Sequence, residues 1–464
     1  MKRIVGLETE YGCLCSRPGE TRPIPERVRD YLFYKLKVGL IDLHDRDYDE
    51  PAGNGGFLFN GGRLYLDMGH VEYCTAECLN LADVVSLDEA GEELLQQALQ
   101  ELGLSSEACF IKNNVDHYTG ATFGCHENYL VSRDGPFNQR NLGGLLSFLA
   151  LRGIMVGAGR VGGLSHTGRK VARGSKDGVA FQIMQRADYI QTEVYEWVQF
   201  NRALINARDE PLGDPTRFRR LHLLLGDSNI LPFSNALKVG ATSLLLDLVE
   251  ADLIPKGLAL ADPVRTMRQI SYDPDGSWMV EMADGKRWSA LDVLTELYEL
   301  AASDKLDKDE DGQWTCQAWQ EVLTAFQENR REKLVGKVDW ITKRYLLEAF
   351  REAEGLEWDD PWLESIDLEY HKIDPARNLA RALPHTRVED LHLPGFRKRD
   401  SRREPPANTR ASVRSQLMRT IAQSGRDYII DWDYVQFGKL RYFTLDDPFD
   451  SRVPEVELKR VWVP

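Results

Sequence analysis

The run FLFNGGRLYLD, residues 57 to 67, constrains the fold more than any other part of this chain. Asn60-Gly61 is the favoured pair for a two-residue hairpin turn, where both central residues need positive φ. The residues on either side alternate as strands do, so a hairpin is expected. Side chains along a strand point to opposite faces in turn. Arg63, Tyr65 and Asp67 therefore share one face, while Leu64 and Leu66 share the other. Glu72 and Glu77 follow in HVEYCTAEC. Near the N-terminus RIVGLETEYG repeats the pattern, with Val5, Leu7 and Thr9 on one side and Glu8 and Glu10 on the other.

If these strands are neighbours, one sheet face carries several carboxylates and an arginine. Crowded carboxylates push one another's pKa values upward unless a counterion intervenes. A hard divalent cation relieves the crowding, and oxygen-rich sites suit Mg²⁺ that also carries nucleotide phosphates. Arg63 on that face has the fork geometry to hold a phosphate. The competing reading is a solvated sheet face, polar outside and apolar inside, the commonest cause of alternation. The face is more acidic than solubility requires, and polar clusters recur in GCHENYL (124–130), NARDEP (206–211) and FRRLHLLLGDSN (218–229), which favours the nucleotide–Mg²⁺ site. No GxxxxGK[ST] is present, and GAGRVGG (157–163) reads as a turn rather than a dinucleotide cradle.

The remaining sequence bounds the class. With 464 residues a large domain plus a smaller one is expected, and 42% hydrophobic residues supply a sizeable core. The net charge of -15 opposes a nucleic-acid role. MKRIVGLETEYG lacks a secretory apolar core, and no stretch of ~18 apolar residues occurs, so a cytoplasmic protein without a membrane role is expected. Seven cysteines make no disulfide framework. His70, Cys74 and Cys78 would align as metal ligands on a helix, but the β alternation between them argues for buried thiols.

Along the chain, Pro25 to Leu36 reads as an amphipathic helix and IDLHDRDYDEPAGNGG as an acidic, mobile loop. Ser86 and Glu89 read as the capping box of a helix burying Leu87, Ala90, Leu94, Ala98 and Leu102. CFIKNNVDHYTGATFGCHENYLVS suggests two strands around a turn. NALKVGATSLLLDLVEADLI is apolar enough for a central core helix, and DWITKRYLLEAFREAEG is a helix closed by Gly355. FRKRDSRREPPANTR reads as a linker to a small β-rich module, dividing the chain into 1–395 and 396–464. The class is α+β with a mainly antiparallel sheet.

GLETEYG, NGGRLYLD, EYCTAEC, KNNVD, GCHENYL, INARDEP, RRLHLLLGDSN and ALKVGAT, in this order, resemble the Pup ligase and Pup deamidase/depupylase family. The resemblance continues to DWDYVQFGKL and DDPF and so spans nearly the whole chain. It implies a glutamine-synthetase-like fold with a curved sheet, a catalytic domain binding ATP, Mg²⁺ and modifier, and a small C-terminal domain touching the nucleotide. By the motifs they occupy, Glu8, Tyr65 and Glu72 match Mg²⁺ ligands. Arg63, Thr75 and Trp432 match ATP contacts, and Asp67 matches the catalytic aspartate. Glu10, Glu77, His126 and Glu127 sit in matching motifs with less definite roles.

The implied activity is ATP-dependent joining of the C-terminal glutamate of Pup, a small acidic protein, to lysines of target proteins. Such conjugation links indirectly to the bacterial proteasome. ETEYG, RLYLD, TAEC, GCHENYL and the terminal motifs lean to the ligase branch. The four-residue gap between Asp67 and Glu72, RADYIQTEV and the long segment before Arg63 lean to the deamidase. An inactive Pup-binding adaptor is the third reading, opposed by the intact Glu8, Tyr65, Asp67 and Glu72. The modifier calls for local positive charge, with Arg208, Arg217, Arg219 and Arg220 as candidates and Arg208 foremost; the alternative is an ordinary surface network with Asp209, Glu210 and Asp214.

Overall fold

The computed structural model describes residues 1–16, 23–48, 50–116, 121–162, 180–197, 201–425, 427–438 and 441–453. Parts of the stretches quoted above lie outside these residues: Asp49, 117–120, Gly163, and Lys439 and Leu440.

The strands are β1 (Val5–Cys15), β2 (Gly39–Ile41), β3 (Gly55–Leu58), β4 (Arg63–Asp67), β5 (His70–Cys74), β6 (Ala108–Ile111), β7 (Cys125–Ser132), β8 (Arg160–Val161), β9 (Phe181–Gln182), β10 (Thr192–Tyr195), β11 (Ala203–Asn206), β12 (Phe218–Leu223), β13 (Met279–Glu281), β14 (Arg287–Ser289), β15 (Tyr428–Ile430), β16 (Tyr434–Phe437) and β17 (Arg441–Thr444). Ten of them build the main sheet in the order β10-β11-β12-β7-β1-β5-β4-β3-β2, with β6 also on β1. Every pairing in it is antiparallel except β10 with β11.

Strand β1 organises this sheet. Its first half pairs with β7 and its middle with β5, while Gly12 to Cys15 pair with β6. The segment 109–132 therefore does not form the simple pair around a turn that its sequence suggests. Its two strands meet opposite ends of β1 and not each other. Val5, Leu7, Thr9 and Tyr11 are at most 1% exposed, whereas Glu8 and Glu10 stay partly accessible. The alternation thus separates a core face from a polar face, as the pattern required.

The β3–β4 hairpin turns at Asn60-Gly61 as expected, but it does so over the four residues from Phe59 to Gly62, and Asn60 does not take the positive φ of a two-residue turn. Gly56 pairs with Leu64 and Phe57 with Arg63, and Gly61 takes φ +86°. A second hairpin follows at once, β4 to β5, turned by Met68 (φ 45°) and Gly69 (φ 88°). Two positive φ values match the twist of the strands, and methionine is an unusual residue at the first of them.

The helices are α1 (Pro23–Asp30), α2 (Leu81–Glu101), α3 (Gln139–Leu151), α4 (Gly153–Val156), α5 (Pro232–Glu250), α6 (Pro263–Ser271), α7 (Ala290–Ala302), α8 (Glu310–Gln327), α9 (Asp339–Glu354), α10 (Pro361–Tyr370) and α11 (Arg410–Ser424). A π-helical turn, Tyr31–Leu36, continues α1. Helix α5 is buried on nearly all sides and touches α2, α3, α7 and α8, the central position its apolar sequence demands. Gly355 closes α9 with φ 66°.

Helix α2 corrects one expectation. It starts five residues before Ser86, because Asn80 accepts from the Asp83 N–H and donates to the Asp83 carboxylate, so Ser86 lies inside the helix. Leu87, Ala90, Leu94 and Ala98 are buried as expected, while Leu102 is the half-buried cap.

Toward the C-terminus, α11 and the β15–β17 sheet share an apolar cluster with Phe57, Leu40 and Phe59 of the main sheet. The stretch before α11 is bonded to the large body: Asn60 Nδ2 donates to the Ser401 carbonyl at 3.0 Å, and Arg399 pairs with Asp83 at 2.6 Å. Among the described residues no helix is long and apolar enough to cross a membrane.

Candidate active site

Cross-strand partners point to the same side of a sheet, so the register fixes which residues meet. Glu8 lies opposite Cys74, and Cys74 opposite Arg63; Glu10 lies opposite Glu72, and Glu72 opposite Tyr65. On the other flank Glu8 faces His126, and Asn128 faces His222. Glu8, Glu10, Arg63, Tyr65, Asp67, Glu72, His126 and Arg220 therefore occupy one face. Glu127 does not join them. Its side chain enters the core, where Arg152 and Tyr129 bind it. His126 and Glu127 are consecutive on β7, and the pleat sends them to opposite sides.

Two clusters form on this face. Ligand atoms of Glu10, Asp67 and Glu72 lie within 4.8 Å of one another, as do those of Glu8, His126 and His222. Asn128 Nδ2 donates to Glu8 Oε1 at 2.8 Å, and His126 Nδ1 lies 3.2 Å from Glu8 Oε2. His222 Nε2 stands 3.5 Å from the same oxygen, and neither of its ring nitrogens has a closer hydrogen-bond partner among the described residues. Burial drives the Glu72 carboxyl well above the usual range, and Glu8 and Glu10 add repulsion. Burial also raises Glu8, but its two histidines outweigh that and hold it well below. Burial lowers His222 despite Glu8.

The face has room for a cation. A Cβ on Gly124 would lie 2.5 Å from Glu10 Oε1 and 2.7 Å from His126 Nε2, so glycine keeps open the gap between the clusters. An oxygen-rich set with one protonation-prone carboxyl fits a hard divalent ion.

Other candidates are placed as follows. Arg63 is buried over the Tyr65 ring, 4.3 Å from its centroid, and pairs with Asp42 at 3.1 Å and Glu50 at 2.6 Å. The acidic loop is thereby tied to the site rather than swinging free. Arg46 binds Asp42, Asp431 and the Ile430 carbonyl, so the same loop reaches β15. Thr75 Oγ1 accepts from the Leu7 N–H at 3.0 Å. Thr75, Glu8, Glu77, Arg220, Arg410 and Trp432 line a cleft of about 90 Å³.

Glu77 is a structural clasp. Arg410 Nε donates to it at 2.6 Å and Arg414 Nη1 at 3.0 Å. Burial raises its carboxyl, but the two guanidiniums prevail and hold it at about 2. Arg414 also donates to the Trp432 carbonyl at 2.9 Å and lies 4.9 Å from the Trp432 ring centroid.

Arg220 reaches Asn128 Oδ1 at 2.9 Å and stands 3.9 Å from Glu8, at the cleft. Arg208 is exposed and paired with Glu210, and Arg217 pairs with Asp447. His222, Asn128 and Gly124 were missed as site residues, although all three sit in motifs quoted above. A lone histidine or asparagine in an alternating strand carries no local mark of its distant partner.

Crowded carboxylates, flanking histidines and an arginine thus meet on one antiparallel face, a donor set of the kind that suits a hard divalent cation. The family model for Pup-ligase protein matches residues 3–436. The chain is 35% identical to a Pup–protein ligase of Acidimicrobium ferrooxidans over 98% of both chains. It is 34% identical to one of Nakamurella multipartita over 97% of both. It is similar to the ligase PafA in crystal complex with Pup, with TM-score 0.82 and 29% identity, covering 99% of this chain and 91% of that one. PafA in complex with ADP gives TM-score 0.77 at 29% identity, with 94% of each chain covered. The chain belongs to the Pup-ligase family.

Proposed function

We propose that this chain is an ATP-dependent ligase joining the side-chain carboxylate of a C-terminal glutamate, on a Pup-like acidic protein, to lysines of target proteins. The observation that carries the reading is the Glu10–Asp67–Glu72 cluster on the same face as Glu8, Tyr65 and Arg63. The near-full-length similarity to Pup–protein ligases supports it. Residues 1–395 act as the catalytic domain and 396–464 as the lobe that carries Trp432 to the nucleotide. The conjugate would serve as a tag for the bacterial proteasome.

Glu8, Tyr65 and Glu72 are the residues that would hold Mg²⁺. An ion held by them would supply positive charge to the phosphate oxygens. A carboxylate is a poor electrophile, so the modifier's glutamate is first phosphorylated by ATP. Arg63, once freed from Asp42 and Glu50, contributes a second positive charge, and Thr75 and Trp432 wall the nucleotide. Asp67 takes the proton of the lysine amine. The nitrogen lone pair then forms the C–N bond, the C–O bond to phosphate breaks, and inorganic phosphate leaves. Arg220 and Arg208 give the acidic modifier local positive charge in a chain of net charge -15.

The test offers ATP, Mg²⁺ and a Pup-like peptide ending in Glu or Gln, with and without a lysine-bearing protein. A conjugate from the Glu form with ADP released is the expected result. Ammonia released from the Gln form without conjugate identifies a deamidase, and neither product identifies an adaptor.

A further inference from the structure

A second, larger cavity opens where the polar face continues past Glu10. Glu8, Glu10 and Gly12 share one side of β1, and Gly12 lines this cavity together with Met68, Gly69 and His70 of the β4–β5 turn. His70 is the cross-strand partner of Asp67, so the cavity adjoins the aspartate on its own face. Its volume is about 700 Å³, several times that of the cleft beside Trp432.

The lining is amphipathic. Leu14, Ile111, Val115, Phe123 and Leu368 make apolar walls, and Glu26 and Asp116 lie at the margin. Asn113 is 2% exposed; its Nδ2 donates to the Val115 carbonyl at 2.7 Å, while its Oδ1 has no partner among the described residues. Buried side-chain acceptors are almost always paired in folded proteins. A Cβ on Gly12 would stand 3.8 Å from that Oδ1 and 3.2 Å from the Phe123 ring, so glycine avoids further crowding beside the acceptor, which the Phe123 ring covers and must uncover for a ligand.

We propose that this cavity receives the side chain of the acceptor lysine, its methylene stem along the apolar walls and its ammonium on Asn113 Oδ1, delivered to Asp67. The proposal rests on the ligase reading. A lysine carries an apolar stem and a polar head with donors and no acceptor, which matches apolar walls ending in an unpaired acceptor and carboxylates. The nucleotide and the acceptor thus approach from opposite ends of one face and meet at Asp67.

The experiment uses the full chain with ATP, Mg²⁺ and a Pup-like peptide ending in Glu, and compares two nucleophiles. Nα-acetyl-lysine methylamide needs the cavity; hydroxylamine is small enough to trap the acyl phosphate without it. Wild-type protein that forms neither product refutes the ligase reading itself. With the wild type active, Asn113→Leu should raise the KM for the lysine compound about tenfold or more, the loss of a hydrogen bond to a charged group. Hydroxamate formation should not change. An unchanged lysine KM, or a parallel fall with both nucleophiles in folded protein, overturns the proposal. Should Asn113→Leu fail to fold, Glu26→Lys on the exposed rim decides. A lysine KM raised about threefold at low salt with hydroxylamine unaffected upholds the cavity, and an unchanged KM rejects it.

Discussion

Removing the charge of Glu77 should loosen the C-terminal lobe without touching the sheet. The Glu77 carboxyl titrates at about 2 against an ordinary 4.5, because two buried guanidiniums outweigh its burial. A difference of 2.5 units at about 1.36 kcal/mol each makes the clasp worth roughly 3 kcal/mol. Breaking a buried pair by removing one partner independently costs about 3–5 kcal/mol. In Glu77→Gln, Arg410 and Arg414 keep their carbonyl partners but lose their counter-charge. The lobe should therefore open about a hundredfold more often. Hydrogen exchange measures this: amides of Ile430, Val435 and Phe443 should exchange about 10²-fold faster at neutral pH, with those of Leu7 and Val71 unchanged. Nucleotide binding should weaken in step, since Arg414 holds Trp432. The pH sign follows from the depressed acid. The stabilisation is complete above about 4.5 and is lost as pH falls toward 2. Lobe amides that exchange within a factor of about three of wild type would refute this account of the clasp.

Other outcomes separate the residues of the face. Asp67→Asn should lower conjugation about 10²-fold or more with nucleotide affinity little changed, whereas Glu72→Gln should weaken Mg²⁺–ATP binding and recover with added Mg²⁺; calorimetry beside turnover distinguishes them, and Mg²⁺ rescue of Asp67→Asn would make it a ligand instead. Arg220→Ala should raise the KM for the modifier more than Arg208→Ala, because Arg220 stands at the cleft and Arg208 is held outside by Glu210; conjugation kinetics showing the reverse order would transfer the grip to Arg208. Glu127→Gln should cost about 3–5 kcal/mol in a denaturant titration by stranding Arg152, with kcat per folded molecule unaffected. Burial lifts the Glu89 carboxyl to about 7 against the pull of Arg381; a raised acid lowers stability as pH climbs from about 4.5 to 7, and Glu89→Gln should remove that slope from Tm measured across the range.

What could be read in the sequence was what a single strand or helix encodes about itself. Alternation placed Arg63, Tyr65 and Asp67 together, the all-apolar run of α5 announced its central place, and Gly355 and Asn60-Gly61 marked their turns. Signals failed where two local patterns competed. Ser86-x-x-Glu89 mimics a capping box, but Asn80 with Asp83 satisfies the helix start earlier and the helix runs through Ser86. Met68 gave no turn signal because methionine seldom takes positive φ, yet Gly69 beside it and the pairing of Asp67 with His70 impose the turn.

Strand adjacency lies outside any local pattern, and the site depends on it. Glu8 meets Glu72, His126 and His222 only because β5 and β7 flank β1 and β12 follows β7, contacts spanning up to some two hundred residues. The same distance explains the two outcomes on β7. Sequence alone ranks His126 and Glu127 alike, since both are polar residues of one motif. The pleat then assigns His126 to the carboxylates and Glu127 to Arg152. Alternation had already said that one of the two must turn inward; which one is decided by the β1–β7 register, which sets His126 opposite Glu8 and Glu127 opposite the buried Leu7. A polar face of this kind is thus legible as a set of half-faces in the sequence, and becomes a candidate site only when register joins them.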